Sequence, residues 1–340
     1  GSGMAEMLLK KDGVDIVSIC DRNEHRVGKD MFEVLEIERG DKPSVIITAD
    51  PEEAFKEKTC DVVLLATDSF TRHAFEKIKF IAERKMNVIS TAEEMAYPKA
   101  QEPELAKEID KIAKENNITV LGTGINPGFV LDLLILALTG TCETVDHIKA
   151  ARVNDLSPFG KAVMIEQGVG VTKDEFESGV KDNSIAGHVG FPESIMMITD
   201  GIGWNLDKVD ETREPIMSTV HRETKYAEVM PGNVAGCRQC GFGYVDGELK
   251  IEMEHPQQIL PHLEGQETGD YVWIKGNPNI NLEIKPEIPG GIGTIAMVVN
   301  SIPHVMNAHS GLKTMLDIPV PRAIMSDMRN FIEESSKIVK

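Results

Sequence analysis

The residues best suited to chemistry fall in a few glycine-punctuated segments. Gly122-Thr123-Gly124-Ile125-Asn126-Pro127-Gly128-Phe129 follows the run Ile118-Thr119-Val120-Leu121 and leads into the apolar run from Val130 to Leu138. This reads as strand, tight turn and helix, with Asn126 as helix cap and Pro127 at the first helical position, where a missing N–H costs nothing. Glycines beside a helix N-terminus let a ligand approach the backbone closely, which makes Gly124, Asn126 and Gly128 binding candidates at the junction of two domains. The plainer alternative is an ordinary strand-to-helix turn. A second such segment is Gly187-His188-Val189-Gly190-Phe191-Pro192-Glu193-Ser194, and His255 ends the strand-like Ile251 to Glu254. Imidazole titrates in the range useful for proton transfer, so His188 and His255 are the candidate catalytic bases, each against the alternative of a hydrogen-bonded loop histidine. Asp155, Ser157 and Lys161 sit together in Asn154-Asp155-Leu156-Ser157-Pro158-Phe159-Gly160-Lys161, after another strand.

A dinucleotide site would need a glycine loop opening a helix, then a strand ending in an acid. The chain starts Gly1-Ser2-Gly3-Met4, continues into a helix-forming segment, and then reads Val14-Asp15-Ile16-Val17-Ser18-Ile19-Cys20-Asp21-Arg22. Gly1, Gly3 and Met4 take the place of the loop and Asp21 that of the acid which bonds the adenosine ribose, against the alternative of a helix or turn cap. An acid there favours NAD over NADP, whereas Arg22 offers a partner to a 2′-phosphate or a stacking surface for adenine. The first strand and the front of the loop are not in the pattern. Either Gly-Ser-Gly is an appended leader before Met4, or the numbering starts inside a longer glycine loop, the reading preferred here. Further strand ends add Ala66, Thr67 and Ser69, then Thr91 and Glu93, as cofactor-side residues, since strand C-termini line the cleft of an open parallel sheet. Helix caps with solvated acids are the plainer alternative.

The positioning elements follow from periodicity. Helices are expected at Lys29–Arg39, Phe70–Lys85 and Glu104–Asn116, and a helix start at Pro51 after the cap Asp50. Strands are expected at Val45–Thr48, Asp61–Thr67, Asn87–Thr91 and Ile118–Leu121. Such alternation predicts an α/β, doubly wound, Rossmann-type parallel sheet. Beyond Leu138, strand-like segments (His147–Val153, Arg238–Val245, Leu249–Glu254, Tyr271–Lys275) and helices (Lys173–Lys181, Phe191–Asp200) predict an inserted α+β domain. An apolar helix from Thr294, with Thr294 as cap, is expected to return to the first domain. The expected division is 1–128 dinucleotide-binding, 129–292 substrate and dimerisation, and 293–340 returning helices.

Bulk properties narrow the partners. Across 340 residues the formal net charge is −19, which argues against nucleic acid and anionic membrane surfaces. No apolar run approaches the ~20 residues of a membrane span. Five cysteines without framework spacing suit a reducing, cytoplasmic setting. Cys237-x-x-Cys240 lacks a second pair with ligand spacing, so no metal is expected.

The longer motifs are specific. Ile19-Cys20-Asp21-Arg22, Asn87-Val88-Ile89-Ser90-Thr91-Ala92-Glu93-Glu94-Met95-Ala96-Tyr97-Pro98, the Gly122–Phe129 turn and Gly293-Thr294-Ile295-Ala296-Met297-Val298-Val299-Asn300-Ser301-Ile302-Pro303 resemble the 2,4-diaminopentanoate dehydrogenases over nearly the whole chain. That family is similar in fold to dihydrodipicolinate reductase. The resemblance implies NAD(P)-dependent oxidative deamination of 2,4-diaminopentanoate at C4, yielding 2-amino-4-oxopentanoate and ammonia, in ornithine fermentation. It also implies a small diamino acid as partner and a homodimer or homotetramer. By their positions at turns and strand ends, Asn126, Gly128, Asp155, Ser157, Lys161 and Glu193 are the substrate-binding candidates, with Lys161 as carboxylate partner against the alternative of a solvated lysine. The His-His motif and downstream lysine of dihydrodipicolinate reductases are not found. Alternatives are a diaminopimelate dehydrogenase or dihydrodipicolinate-type reductase on the same fold, and a non-catalytic dinucleotide-binding sensor.

Overall fold

The computed structural model describes residues 1–56 and 60–333. Two compact units emerge: Gly1–Ala92, Glu104–Thr123 and the chain from Thr294 form the first, and Glu93–Pro103 with Gly124–Gly293 form the second. Glu93 therefore belongs to the second unit.

In the first unit helices and parallel strands alternate. The order is α1 (Ser2–Leu9), β1 (Ile19–Cys20), α2 (Met31–Leu35), β2 (Ile47–Thr48), α3 (Pro51–Phe55), β3 (Val62–Leu65), α4 (Thr71–Ala82), β4 (Asn87–Ser90), α5 (Pro103–Glu115) and β5 (Thr119–Gly122). Local chemistry sets several ends. Asp50 accepts from the Glu52 N–H at 2.9 Å and Pro51 takes the first position of α3, as the cap preference predicts. Asp30 caps α2 in the same way, and Glu36, in the left-handed region at φ 55°, closes it. That helix is shorter than the expected Lys29–Arg39. The expected strand over Val14–Cys20 also contracts, to Ile19–Cys20, because its one ladder is a two-residue register with β2. The apolar strands Val88-Ile89 and Val120-Leu121 are fully buried, as expected for a sheet covered on both faces.

The second unit contains α6 (Leu133–Thr139), β6 (Thr144–Asp155), α7 (Lys161–Glu166), α8 (Lys173–Lys181), α9 (Phe191–Ile202), β7 (Leu206–Met217), β8 (Arg222–Glu223), β9 (Glu228–Val229), β10 (Val234–Val245), β11 (Glu248–Gln258), β12 (Gly269–Asn277) and β13 (Ile280–Ile284). Its main sheet has the order β13-β12-β6-β11-β10-β7. Only β11 and β6 pair in parallel; the other ladders are antiparallel. Period-two alternation puts Ile148 and Ala150, Ile251 and Met253, and Val272 and Ile274 into one core with Phe191, Ile195 and Ile198 of α9 and Val130, Leu131 and Ile135 around α6.

The chain closes with α10 (Gly290–Asn300), α11 (Ile302–Asn307) and β14 (Gly311–Lys313). Strand β14 joins the first unit's parallel sheet in the order β14-β5-β4-β3, while β1 and β2 form a separate parallel pair. This is a doubly wound α/β unit interrupted by an α+β unit.

Two cap expectations are corrected. Asn126 does not cap a helix and Pro127 does not open one: the Asn126–Pro127 peptide is cis, and α6 starts at Leu133 with Asp132 as its cap. Asp132 prevails because its carboxylate accepts from both Leu133 N–H (2.6 Å) and Gly128 N–H (2.8 Å), closing the turn from inside. Nor does Thr294 cap α10, which begins four residues earlier at Gly290.

Candidate functional site

In the first unit, α1 begins at Ser2 with Gly1 in the cap position and no side chain accepting from its first turn. A Cβ on Gly1 would meet nothing within 4 Å, whereas one on Gly3 would lie 2.4 Å from Ile295 Cδ1. Glycine at position 3 thus lets α1 pack closely, and a helix start without a side-chain cap suits a phosphate. Asp21 follows β1 directly. Its carboxylate accepts from Asn23 N–H at 2.9 Å and pairs with Arg26 at 2.9 Å; these contacts, the Asn23 N–H foremost, hold its pKa below the usual carboxylate range. An ionised acid beside an uncapped helix start fits a dinucleotide. Arg22 beside it is exposed and Met4 is buried. Ala66, Thr67 and Ser69 follow β3 and Thr91 follows β4, its neighbour in the sheet. Thr67 Oγ donates to Asp68 at 2.5 Å, and Lys77 binds both.

The second unit holds a row of polar side chains across five strands, buried at Asp270, Arg152, His255 and Gln239 and partly exposed at Arg213. Asp270 on β12 pairs in register with Arg152 on β6, Gln239 on β10 with His255 on β11, and Gln239 again with Arg213 on β7. His255 completes the row by donating from Nδ1 to the Arg152 carbonyl at 2.6 Å. The row continues the face that carries Ile148, Ala150, Ile251 and Met253, so the same alternation that builds the core carries these polar groups to its end. Arg152 and Asp270 form an ion pair at 2.5 Å, 2% and 1% exposed, and Arg152 also donates to the Ile288 carbonyl.

His188 lies against this row. Its ring meets His255 edge-on with centroids 4.9 Å apart, and Phe191 at 5.2 Å. Asn126 Nδ2 is 3.3 Å from His188 Nε2, which makes that nitrogen an acceptor. Burial, reinforced by Arg152 and Arg213, pushes the His188 pKa down to about 3; burial, then His188 and Arg152, holds His255 well below its usual value. Both rings are therefore neutral near pH 7. Glu193, in the first turn of α9, is fully buried. Its Oε1 accepts from Gln101 at 2.9 Å and its Oε2 has no partner. Burial raises its pKa to about 8, with Glu94 and Glu211 adding to the effect.

Of the substrate-side candidates, the fold gathers Asn126, His188 and His255 in direct contact, with Glu193 in the helix that His188-Val189-Gly190 enters. Gly128 spends its N–H on Asp132. Asp155 spends one oxygen on Ser157 N–H and Oγ and on Leu260 N–H, and Ser157 Oγ also accepts from Leu260. That pair closes a chain corner. Lys161 opens α7 exposed to solvent, and Gly124 is buried. Cys237 and Cys240 lie three apart on β10, which puts their side chains on opposite faces, and no metal-binding cluster occurs among the described residues.

Arg152, Gln239, Arg213, Glu211, Asp270, Gln101 and Asp132 were not picked out by sequence reasoning. Arg152 carried a signal: within His147–Val153 it shares the phase of Ile148 and Ala150, so a cation is directed onto an apolar face. Gln101 carried none.

A doubly wound parallel unit with a nucleotide-suited helix start, interrupted by a mixed-sheet unit with a buried titratable site, defines a nicotinamide-dependent dehydrogenase. The pattern of the 2,4-diaminopentanoate dehydrogenase C-terminal domain matches residues 129–334. A 2,4-diaminopentanoate dehydrogenase of Acetoanaerobium sticklandii is 60% identical over 100% of this chain and 96% of its own length. The solved amine dehydrogenase of Mycobacterium smegmatis is 26% identical and superposes with a TM-score of 0.84 over 96% of this chain and 94% of that one. GenD2 of gentamicin A biosynthesis, solved with NAD, shares the fold at 14% identity and a TM-score of 0.51, over 88% of this chain and 82% of its own. The chain belongs to the 2,4-diaminopentanoate dehydrogenase family.

Proposed function

We propose that this chain oxidatively deaminates 2,4-diaminopentanoate at C4, with NAD or NADP as oxidant, to give 2-amino-4-oxopentanoate and ammonia. The observation that carries this reading is the 60% identity, along the whole chain, to a relative of that name. The polar row supplies chemistry that fits it. Gly1, Asp21 and the strand-end residues Thr67, Ser69 and Thr91 would hold the dinucleotide, with Asp21 on the ribose, while Gly3 packs α1 against Ile295 and Met4 is buried in the same helix.

Hydride can leave C4 only after its ammonium has lost a proton. A base works best with a pKa near the working pH. His188, with its pKa pushed down to about 3 by burial and the nearby arginines, is a poor proton acceptor near neutral pH. Glu193, near 8 and with a free oxygen, is matched. Glu193 therefore takes the C4 ammonium proton, and the neutral His188 and His255 rings do not repel an ammonium; His255, whose Nδ1 donates to the Arg152 carbonyl, keeps Nε2 as an acceptor, whereas His188 Nε2 is taken by Asn126. A nicotinamide, when bound, would supply the acceptor for the C4 hydride. Water adds to the resulting iminium carbon, and loss of ammonia leaves the 4-oxo group.

We place the reaction in ornithine breakdown, in the cytoplasm, and in a homodimer or homotetramer. Five free cysteines agree with a reducing compartment. Among the described residues no helix is long and apolar enough to cross a membrane.

The test is reduction of NAD⁺ or NADP⁺ with a panel of diamino acids. Turnover of 2,4-diaminopentanoate with release of ammonia is expected. Turnover of diaminopimelate alone would move the substrate, and dinucleotide binding without turnover of any diamino acid would make the chain a sensor.

A further inference from the structure

Three buried side-chain atoms without partners belong to this site: Asn126 Oδ1, Glu193 Oε2 and Arg213 Nε. They are two acceptors and one donor. The proposed substrate carries two ammonium groups and one carboxylate. Resting on that functional reading, we infer that Arg213 anchors the substrate carboxylate and Asn126 Oδ1 receives the C2 ammonium, so that this pair selects an α-amino acid over a plain amine.

Arg213, partly exposed at its side chain, differs in its bonding from the buried arginines of this unit. Arg152 is saturated by Asp270 and the Ile288 carbonyl. Arg222 is saturated by Ser218, Gln258, Glu264 and the Ile259 carbonyl. Arg213 has one long contact, Nη2 to Glu211 at 3.6 Å, and its buried Nε has no hydrogen-bond partner. A buried N–H left unbonded is costly, and a carboxylate is the anion whose two oxygens match a guanidinium edge. Lys161, the partner expected from sequence, is exposed, where such pairs contribute little.

The backbone next to His188 brings these groups together. Gly187 has φ +70°, and a Cβ there would lie 2.2 Å from Gln239 Oε1 and 3.0 Å from Arg213 Nε. The chain therefore passes directly over Arg213 before reaching His188, whose ring meets Asn126. Donor, imidazole and acceptor follow in that order, so an α-amino acid end can span Arg213 and Asn126 while Glu193 serves the second nitrogen.

The test compares wild type with Arg213→Gln and Arg213→Lys on 2,4-diaminopentanoate and on butane-1,3-diamine, which lacks the carboxylate. Binding of 2-aminopentanoate, which keeps the amino acid end but has no nitrogen at C4, is measured by calorimetry. In Arg213→Gln the kcat/KM ratio of acid to diamine should fall by roughly 30-fold or more, and 2-aminopentanoate should bind about tenfold or more weaker; Arg213→Lys should recover part of both. An unchanged ratio, with both substrates falling together, or unchanged 2-aminopentanoate affinity, would overturn the assignment. A wild type inactive on 2,4-diaminopentanoate would overturn the functional reading instead, and the 2-aminopentanoate titration would still decide the role of Arg213.

Discussion

Gln239 holds both backbone polar groups of His188: its Oε1 accepts from the His188 N–H at 2.7 Å, and its Nε2 donates to the His188 carbonyl at 2.9 Å. One amide side chain thus treats a loop residue as a neighbouring strand would. The same Nε2 reaches Glu211 at 2.6 Å, which ties the loop to β7. Replacing Gln239 by Leu leaves the two His188 groups without partners, at about 1–3 kcal/mol each if they stay buried. The expected result is a lower melting temperature and a fall of about tenfold or more in kcat. Unchanged melting and unchanged turnover would show that the clamp is idle.

Glu193 sets a pH dependence in two observables. Its folded pKa, about 8, lies above the ordinary 4.5, so between these values the folded state holds a proton that the unfolded state has lost. Stability should therefore fall as pH rises from about 4.5 to 8, with a ceiling near 5 kcal/mol for the full shift. Glu193→Gln should flatten that slope in urea titrations. In turnover it should lose about 10²–10⁴-fold in kcat together with the limb near pH 8, since the proton acceptor is gone. A pH profile of wild-type shape in the variant would assign the base elsewhere.

The histidines act with the opposite sign. His188 has a folded pKa near 3 against 6.5, and His255 is lowered as well, so the unfolded chain binds protons that the folded chain refuses. Their contribution is present above about pH 6.5 and is lost as pH falls toward 3. Denaturant midpoints measured between pH 4 and 7 should decline on acidification, and His255→Gln should shallow the decline even though the variant is less stable overall. An equally steep decline in the variant would trace the acid sensitivity to other groups.

Asp21 should govern the choice of dinucleotide. Its ionised carboxylate, held by Asn23 and Arg26, would repel a 2′-phosphate, while removing it frees Arg26. Asp21→Ser is expected to weaken NAD⁺ binding by roughly tenfold and to narrow or invert the preference over NADP⁺, measured by calorimetric titration of both. Equal loss for the two dinucleotides would remove Asp21 from the ribose end.

The local elements were legible because their causes are local. Asp50-Pro51 opens a helix by side-chain capping and a fixed φ, and Lys173–Lys181 is helical over the span its sequence suggests, closed at its start by the capping box of Thr172 and Glu175. Alternating helices and apolar strands likewise gave the class of the first unit, and specific motifs gave the family. Where two local signals competed, the sequence misled: Asn126-Pro127 looks like a helix start, yet Asp132 binds two N–H groups at once and moves that start to Leu133. The polar row depends on distant pairings. Asp270, Arg152, His255, Gln239 and Arg213 share one row only because β12, β6, β11, β10 and β7 adopt that order and register. No single strand encodes its neighbour. The proton affinities of His188 and Glu193 come from burial and surrounding charge, which exist only once those strands have packed.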